Sequence, residues 1–446
     1  HITIMSEGRI QLKIPEPEIV ETFKYIYDYW SELIMDGTSL ALPLPNKWIR
    51  PGGFFNMFFY WDSYFISLGL VIQGKWEVAM GILENLFFTI EKLGYIPNYI
   101  GKTICKSRSQ PPFLTSFIKE LYKYRPDENW LKYAIKQVEQ EYYNYWLKSP
   151  HLDSSGLSRY IDLGGNGCAT VPDTPHFRGI AESGWDNTPR FGDDITNILP
   201  IDLNCMLFQY ETDLALFYDI LGQDANVKKW IEISNQRKNL IDTYFWDNKT
   251  RFYWDYNIKN KNKVVNLPKT LASFFPLWAG IADSQQAKEL VKLLPIFETD
   301  YGLVTCEPGW DNNSQWNYPV GWAPLHWIVL YGLRRYGFDE EAKRISMKWL
   351  RLLANKYNNT RVLREKYNVI NLNARLPGRY GPQKGFGWTN GVFVAILVRI
   401  IFGMEYEVIP KNPIWPPIIP KEWQNHEVSI TLSNYPFIDN NNRNIL

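Results

Sequence analysis

Asp186 closes the run Glu182-Ser183-Gly184-Trp185-Asp186, where a carboxylate follows a glycine and an indole ring. Apolar surroundings disfavour an ionised carboxyl and raise its pKa, and an acid that keeps its proton near neutral pH can donate it in catalysis. A loop aspartate that caps a turn would have the same neighbours. Glu365 stands between Arg364 and Lys366, neighbours that by themselves describe a surface ion pair. One acid to protonate a leaving oxygen and one carboxylate to activate water or attack carbon are what glycosidic hydrolysis requires. Other segments bring planar polar groups and rings together: Phe55, Trp61 and Asp62; Asn98, Arg108 and Gln110; Trp316; and Trp388. Such side chains suit a sugar, with hydroxyls for the polar groups and a CH face for the rings. Each also has a structural reading: Arg108 as a buried packing ion, Trp388 as core.

The elements that must position these residues are mostly helices that follow one another in pairs. Periodicity predicts helices over 17–36, 62–74, 76–93, 113–125, 128–148, 200–221, 225–245, 270–281, 284–295, 320–337, 338–356 and 387–402. Several, such as the run from Pro200 to Phe208, are apolar on more than one face, which suits an inner ring of helices inside an outer one. A β-hairpin is expected from Arg251–Tyr256 through Asn260-Lys261-Asn262-Lys263 to Val264-Val265. Five segments do not read as helix: 46–62, 94–113, 150–199, 307–319 and 358–385. Loops of that length, rich in aromatics rather than low-complexity polar tracts, point to function rather than disorder. No linker divides the chain. Residues 1–15 are expected to be disordered or added, with His1–Ile4 preceding Met5, and 16–446 to form a single domain with a C-terminal extension from about 404.

Seven blocks occur in order along these segments. They are Pro51–Tyr64; Ile96-Pro97-Asn98; Ser107-Arg108-Ser109-Gln110-Pro111-Pro112; Glu182–Asp186; Gln315–Pro324; Glu365-Lys366-Tyr367; and Gly385–Gly391. Together, from about Leu42 to about Gly403, they resemble the trehalase family of inverting glycoside hydrolases, the first and fifth blocks being similar to its two signature patterns. The resemblance implies an all-α fold, a single (α/α)6 barrel with long catalytic loops, and cleavage of a small α-linked disaccharide, most simply α,α-trehalose. It implies Asp186 as general acid and Glu365 as general base, with Phe55, Trp61, Asp62, Asn98, Arg108, Gln110, Gly184, Trp316, Arg379 and Trp388 around the sugar. It implies no metal and no cofactor.

The departures from the family pattern fall away from the two carboxylates. Phe54 stands where the family usually has Arg, and Asn317 where it has Asp. The family's Arg-Pro-Glu element is absent between Tyr160 and Asp186, leaving Arg178 and Glu182 as candidate substitutes. Arg379 occupies the place of a family Glu before Tyr380. A guanidinium prefers planar anionic acceptors, so Arg379 leads to an expectation of weaker use of trehalose and of an aglycone with an acidic group, a sugar-glycerate for instance. A non-catalytic sugar-binding paralogue is the alternative of another class; such copies tend to lose one carboxylate, and here both remain.

Composition narrows the field further. Forty-eight Lys and Arg against 47 Asp and Glu lack the footprint of a nucleic-acid binder. The longest apolar stretch towards the C-terminal end, Val392–Gly403, is interrupted by Arg399 and is too short for a bilayer. Aromatic content of 16 % exceeds the needs of a core, although by composition alone an aromatic-rich core is the plainer account. Cys105, Cys168, Cys205 and Cys306 are scattered, indicating neither zinc nor a disulfide framework, and with no apolar leader segment they favour a reducing cytoplasm. His326 reads as a packed core histidine, Asp193-Asp194 as a weak cation candidate, and Gly164-Gly165-Asn166-Gly167 as no phosphate loop. The expected partner is a small saccharide, with no nucleic acid or membrane, and the expected state a monomer or small homo-oligomer.

Overall fold

The computed structural model describes residues 1–165, 168, 171–310, 313–408, 412–433 and 442–445. Helix α1 (Pro17–Leu33) begins on a proline, whose missing N–H is harmless in a first turn. It buries Ile19, Phe23, Ile26, Trp30 and Leu33, a stripe at three- and four-residue spacing. Then follow α2 (Tyr60–Ile72), α3 (Trp76–Leu93), α4 (Leu114–Tyr122), α5 (Glu128–Glu141), α6 (Pro175–Glu182) and α7 (Ile201–Ile220). The remainder are α8 (Asp224–Phe245), α9 (Phe275–Trp278), α10 (Ser284–Lys292), α11 (Ala323–Arg335), α12 (Asp339–Thr360) and α13 (Gly387–Ala395). Each expected helix is present, with ends shifted by a few residues. Helices α5 and α13 pass into π-helical turns at Tyr142–Trp146 and Ile396–Ile401. Helix α6 lies within a segment expected to be non-helical. Its start is nevertheless written in Thr174-Pro175, because the Thr174 hydroxyl accepts the Phe177 N–H.

Helices α2, α9 and α13 are buried at every position, and α4, α7 and α11 nearly so. These six touch in series: α2 on α4, α4 on α7, α7 on α9, α9 on α11, α11 on α13, and α13 on α2. Amphipathic helices cover them, α3 against α2 and α4, α5 against α4 and α7, α8 against α7, α12 against α11, and α1 against α12 and α13. No helix among the described residues is long and apolar enough to cross a membrane.

Three expectations are corrected. Residues 1–15 are ordered: Ile2–Met5 pairs with Ile10–Lys13, which pairs with Val428–Leu432, which pairs with Asn442–Ile445, all antiparallel. The N-terminal arm and the C-terminal extension are therefore one sheet. Alternating residues such as Ile10-Gln11-Leu12-Lys13 suit a half-buried strand, but half of the pairing lies at the far end of the chain. The expected hairpin is split, with Phe252–Tyr253 pairing back onto Trp246–Asp247 and Tyr256–Asn257 pairing with Asn262–Lys263. Finally, Cys105 and Cys168 form a disulfide, their Cα atoms 4.5 Å apart across a separation of 63 residues. Spacing in sequence could not show a pairing that depends on two loops meeting. Cys205 and Cys306 are buried and free.

Candidate active site

The segments leading into α2, α4, α7, α11 and α13 line one cavity of about 290 Å³. All twelve residues singled out from sequence are in its wall. Phe55, Trp61 and Asp62 come from the entry to α2; Asn98, Arg108 and Gln110 from the crossing between α3 and α4. Gly184 and Asp186 precede α7, Trp316 precedes α11, and Glu365, Arg379 and Trp388 lie between α12 and the first turn of α13. Helix N-termini carry partial positive charge, so such a mouth tolerates carboxylates.

Stacked rings build the floor. Trp316 stacks on Trp322 at 3.9 Å and on Trp185 at 5.5 Å, with Trp61 tilted beside it and Trp388 edge-on. Gly184 has φ +79, a conformation that side chains with a Cβ rarely adopt, and an added Cβ would sit 2.5 Å from Trp61 Cζ2. Glycine is thus required there for close approach to the ring. Downstream, Arg190 Nε donates to Asp255 Oδ2 at 2.9 Å and Nη2 to Asp202 Oδ1 at 2.9 Å, and its guanidinium lies 4.7 Å from the Trp185 ring centre. This buried clamp pins the turn that carries Asp186.

Polar residues around the cavity are held by hydrogen bonds to neighbours in and behind its wall. Asn98 Nδ2 donates to the Ser109 carbonyl at 2.7 Å, and Gln110 Oε1 accepts the Trp61 N–H at 3.0 Å. Arg108 Nη1 donates to Asp162 Oδ2 at 3.3 Å, and its buried Nε has no hydrogen-bond partner among the described residues. Trp388 Nε1 donates to the Glu365 carbonyl at 3.2 Å.

Three carboxyls share this cavity, and each is shifted upwards. Burial raises Asp186 to about 6, with Arg108, Lys366 and Arg379 pulling it back. Burial raises Glu365 to about 7, opposed by Lys366 and the Tyr380 hydroxyl and reinforced by Asp186. Asp62 is pushed well above the ordinary carboxyl range by burial and then by Asp186 and Glu365. Groups that interact this closely titrate as a set rather than singly.

The immediate partners of Glu365 were not singled out from sequence. Tyr380 Oη donates to Glu365 Oε2 at 2.7 Å, and Lys366 Nζ is 3.4 Å from Oε1 while also hydrogen-bonding Gln315 Oε1. Asn187 Oδ1 accepts the Gln315 N–H at 2.6 Å and lines the same cavity. Lys366 and Gln315 lie inside quoted blocks; a lysine beside a base is a signal in itself, whereas Tyr380 depends on how the segment after Glu365 folds back.

The departures sort by position. Phe54 is exposed at the rim, its ring against Phe55 and Tyr380. Asn317 donates to the Trp310 carbonyl and accepts the Tyr318 N–H, outside the cavity wall. Neither Arg178 nor Glu182 replaces the missing element in the wall. Arg178 pairs with Asp173, and buried Glu182 accepts from Ser109 N, Tyr145 Oη and Ile161 N and meets His151 Nε2. Arg379 is exposed at the rim, its guanidinium 5.2 Å from the Phe177 ring centre. His326 is fully buried, with Nε2 accepting the Leu303 N–H and the ring stacked on Trp349. Asp194 caps a turn by accepting the Thr196 N–H, and no cluster of metal-ligating side chains occurs among the described residues. Of the glycine-rich stretch, Asn166 and Gly167 lie outside the described residues.

Comparison with known proteins agrees with this site. The trehalase family model matches residues 31–177 and 173–400. Periplasmic trehalase of Salmonella dublin is 33 % identical over 397 residues, covering 80 % of this chain and 68 % of its own. Neutral trehalase Nth1 of Saccharomyces cerevisiae superposes with a TM-score of 0.69 at 30 % identity, covering 79 % of this chain and 73 % of its own. The mannosylglycerate hydrolase of Thermus thermophilus shares the fold, with a TM-score of 0.65 at 19 % identity over 84 % of this chain and 99 % of its own. The cytoplasmic expectation is corrected here, because the Salmonella relative is named as periplasmic, and the Cys105–Cys168 disulfide belongs with an oxidising compartment. With the family model spanning most of the chain and the sequence relatives covering four-fifths of it, this chain is a glycosidase and belongs to the trehalase family.

Proposed function

We propose that this chain hydrolyses α,α-trehalose to two glucose molecules by a single displacement with inversion. The observation that carries the reading is the burial of Asp186 and Glu365 in one cavity, with both carboxyls shifted towards neutral pH. Asp186 gives its proton to the glycosidic oxygen as the bond to the anomeric carbon breaks. Glu365 takes a proton from the water that attacks that carbon from the opposite face. Lys366 and the Tyr380 hydroxyl favour the anionic form of Glu365, which suits a base. Trp61, Trp316 and Trp388 offer faces and edges to the CH side of the rings, and Phe55 closes the rim. Asp62, Asn98, Arg108 and Gln110 meet hydroxyls, and Gly184 lets the Asp186 turn approach Trp61. The serial packing of six buried helices inside five amphipathic ones supports reading the scaffold as an (α/α)6 barrel whose catalytic loops enter the inner helices. Proton NMR of early turnover tests the mechanism. Inversion releases one β- and one α-glucose per trehalose; two α-glucose would overturn single displacement, and no turnover would overturn the substrate.

Arg379 favours a second reading, in which the aglycone is acidic. It lines the same cavity, has no carboxylate ion pair among the described residues, and faces Asp186 closely enough to lower its pKa. Arg379→Glu should then lower kcat/KM for an acidic α-glycoside about ten-fold relative to trehalose, the scale of one charge-assisted contact. An unchanged ratio between the two substrates leaves trehalose as the substrate.

A further inference from the structure

Behind the wall that carries Tyr380 lies a second cavity of about 420 Å³, roofed by residues 372–382 and backed by the end of α12. Its lining includes Lys356, Arg364, Lys366, Arg375 and Arg379 and no carboxylate. Among the described residues only Lys366 of these five has a carboxylate partner, Glu365. Lys356 Nζ donates to the Leu372 carbonyl at 3.0 Å and Arg364 Nη1 to the Pro382 carbonyl at 3.1 Å. Carbonyls accept hydrogen bonds without cancelling charge, so Lys356 and Arg364 keep their full positive charge beside the cavity. The other large cavities differ. The one at the opposite ends of α4 and α11 mixes cations with Glu120, Asp213 and Glu405, and the one beside α1 and α12 mixes them with Glu16 and Glu340. There, cations pair with acids, as in the buried Arg399 with Glu405 and the part-exposed Arg351 with Glu16.

We propose that this one-signed cavity is an oxyanion site for phosphate, either free or carried on a sugar. Guanidinium groups bind phosphate oxygens in pairs, and a lysine adds a point charge. Walls of low dielectric focus the field of several cations onto a small volume. Arg379 and Tyr380 line both this cavity and the catalytic one, so a bound anion would lie directly behind the residues that face Asp186 and Glu365.

The test uses the whole chain and reads binding rather than hydrolysis, so it stands whatever the fate of the trehalose reading. Inorganic phosphate is titrated calorimetrically, with ionic strength held constant by chloride. Saturable binding is expected, weakened about ten-fold by Arg375→Gln and further by Lys356→Gln combined with it. Neither residue lines the catalytic cavity, and Arg375 is exposed, so both variants should fold. Glucose 6-phosphate titrated in parallel separates the two sources: tighter binding than inorganic phosphate assigns a sugar phosphate, and equal or weaker binding assigns the free ion. No saturable heat with either probe, or affinities unchanged in the double variant, would overturn the site.

Discussion

Asp186→Asn and Glu365→Gln each lower turnover by about 10²–10⁴ while the fold is retained, the range that loss of a positioned acid or base produces. Each amide keeps the shape of the carboxyl it replaces and loses only the capacity to give or take a proton. The pH profile of the parent tests the same pair from another side. Burial raises Asp186 to about 6 and Glu365 to about 7, so between those values the free pair retains one proton, held mainly by Glu365, and the productive form with Asp186 protonated and Glu365 ionised is its minor partner. Below the lower value both carboxyls are protonated and no base remains. Above the higher value both are ionised and no acid remains. The parent kcat/KM should therefore be bell-shaped with its maximum between those two values. Glu365→Gln should lose the acidic limb and Asp186→Asn the alkaline one. Circular dichroism checks the fold of each variant, and turnover near that of the parent removes the substituted residue from the mechanism.

Arg190→Met unfolds more easily than the parent by about 3–5 kcal/mol, the cost of removing one partner from a buried ion cluster. Asp202 and Asp255 would be left facing each other in the interior without their shared guanidinium. The Trp185 ring would lose the cation against its face, worth about 1–2 kcal/mol when desolvated. The turn bearing Asp186 loosens with it, so activity should fall although Arg190 is not in the cavity wall. Urea unfolding of the parent and variant measures the first effect and kcat the second. An unchanged midpoint would mean that the cluster contributes nothing net to stability.

Arg190 also marks a limit of local sequence. Its two partners lie 12 and 65 residues further along, on α7 and on the short segment between two hairpins. Nothing local distinguishes it from a surface arginine. The same holds for Tyr380, whose hydroxyl reaches Glu365 fifteen residues away only because the segment between them folds back. Cys105 and Cys168 are separated likewise, and the strands at the two ends of the chain more so. By contrast, Thr174-Pro175 is a local signal for α6 inside a segment whose length and composition otherwise read as loop.

The helices were legible because burial leaves a 3.6-residue period that each segment carries on its own, as α1 and α12 do. Asp186 stood out through the resemblance of its block to the trehalase family, because glycine, tryptophan and aspartate in succession suit a desolvated acid and a turn-capping aspartate alike. The company those residues keep was not legible. Which cations face the pair, which ring stacks under it, and that one-signed charge collects behind it all follow from how the segments leading into five of the inner helices meet. Contacts between distant segments obey distance in space, and no period or spacing along the chain encodes that distance.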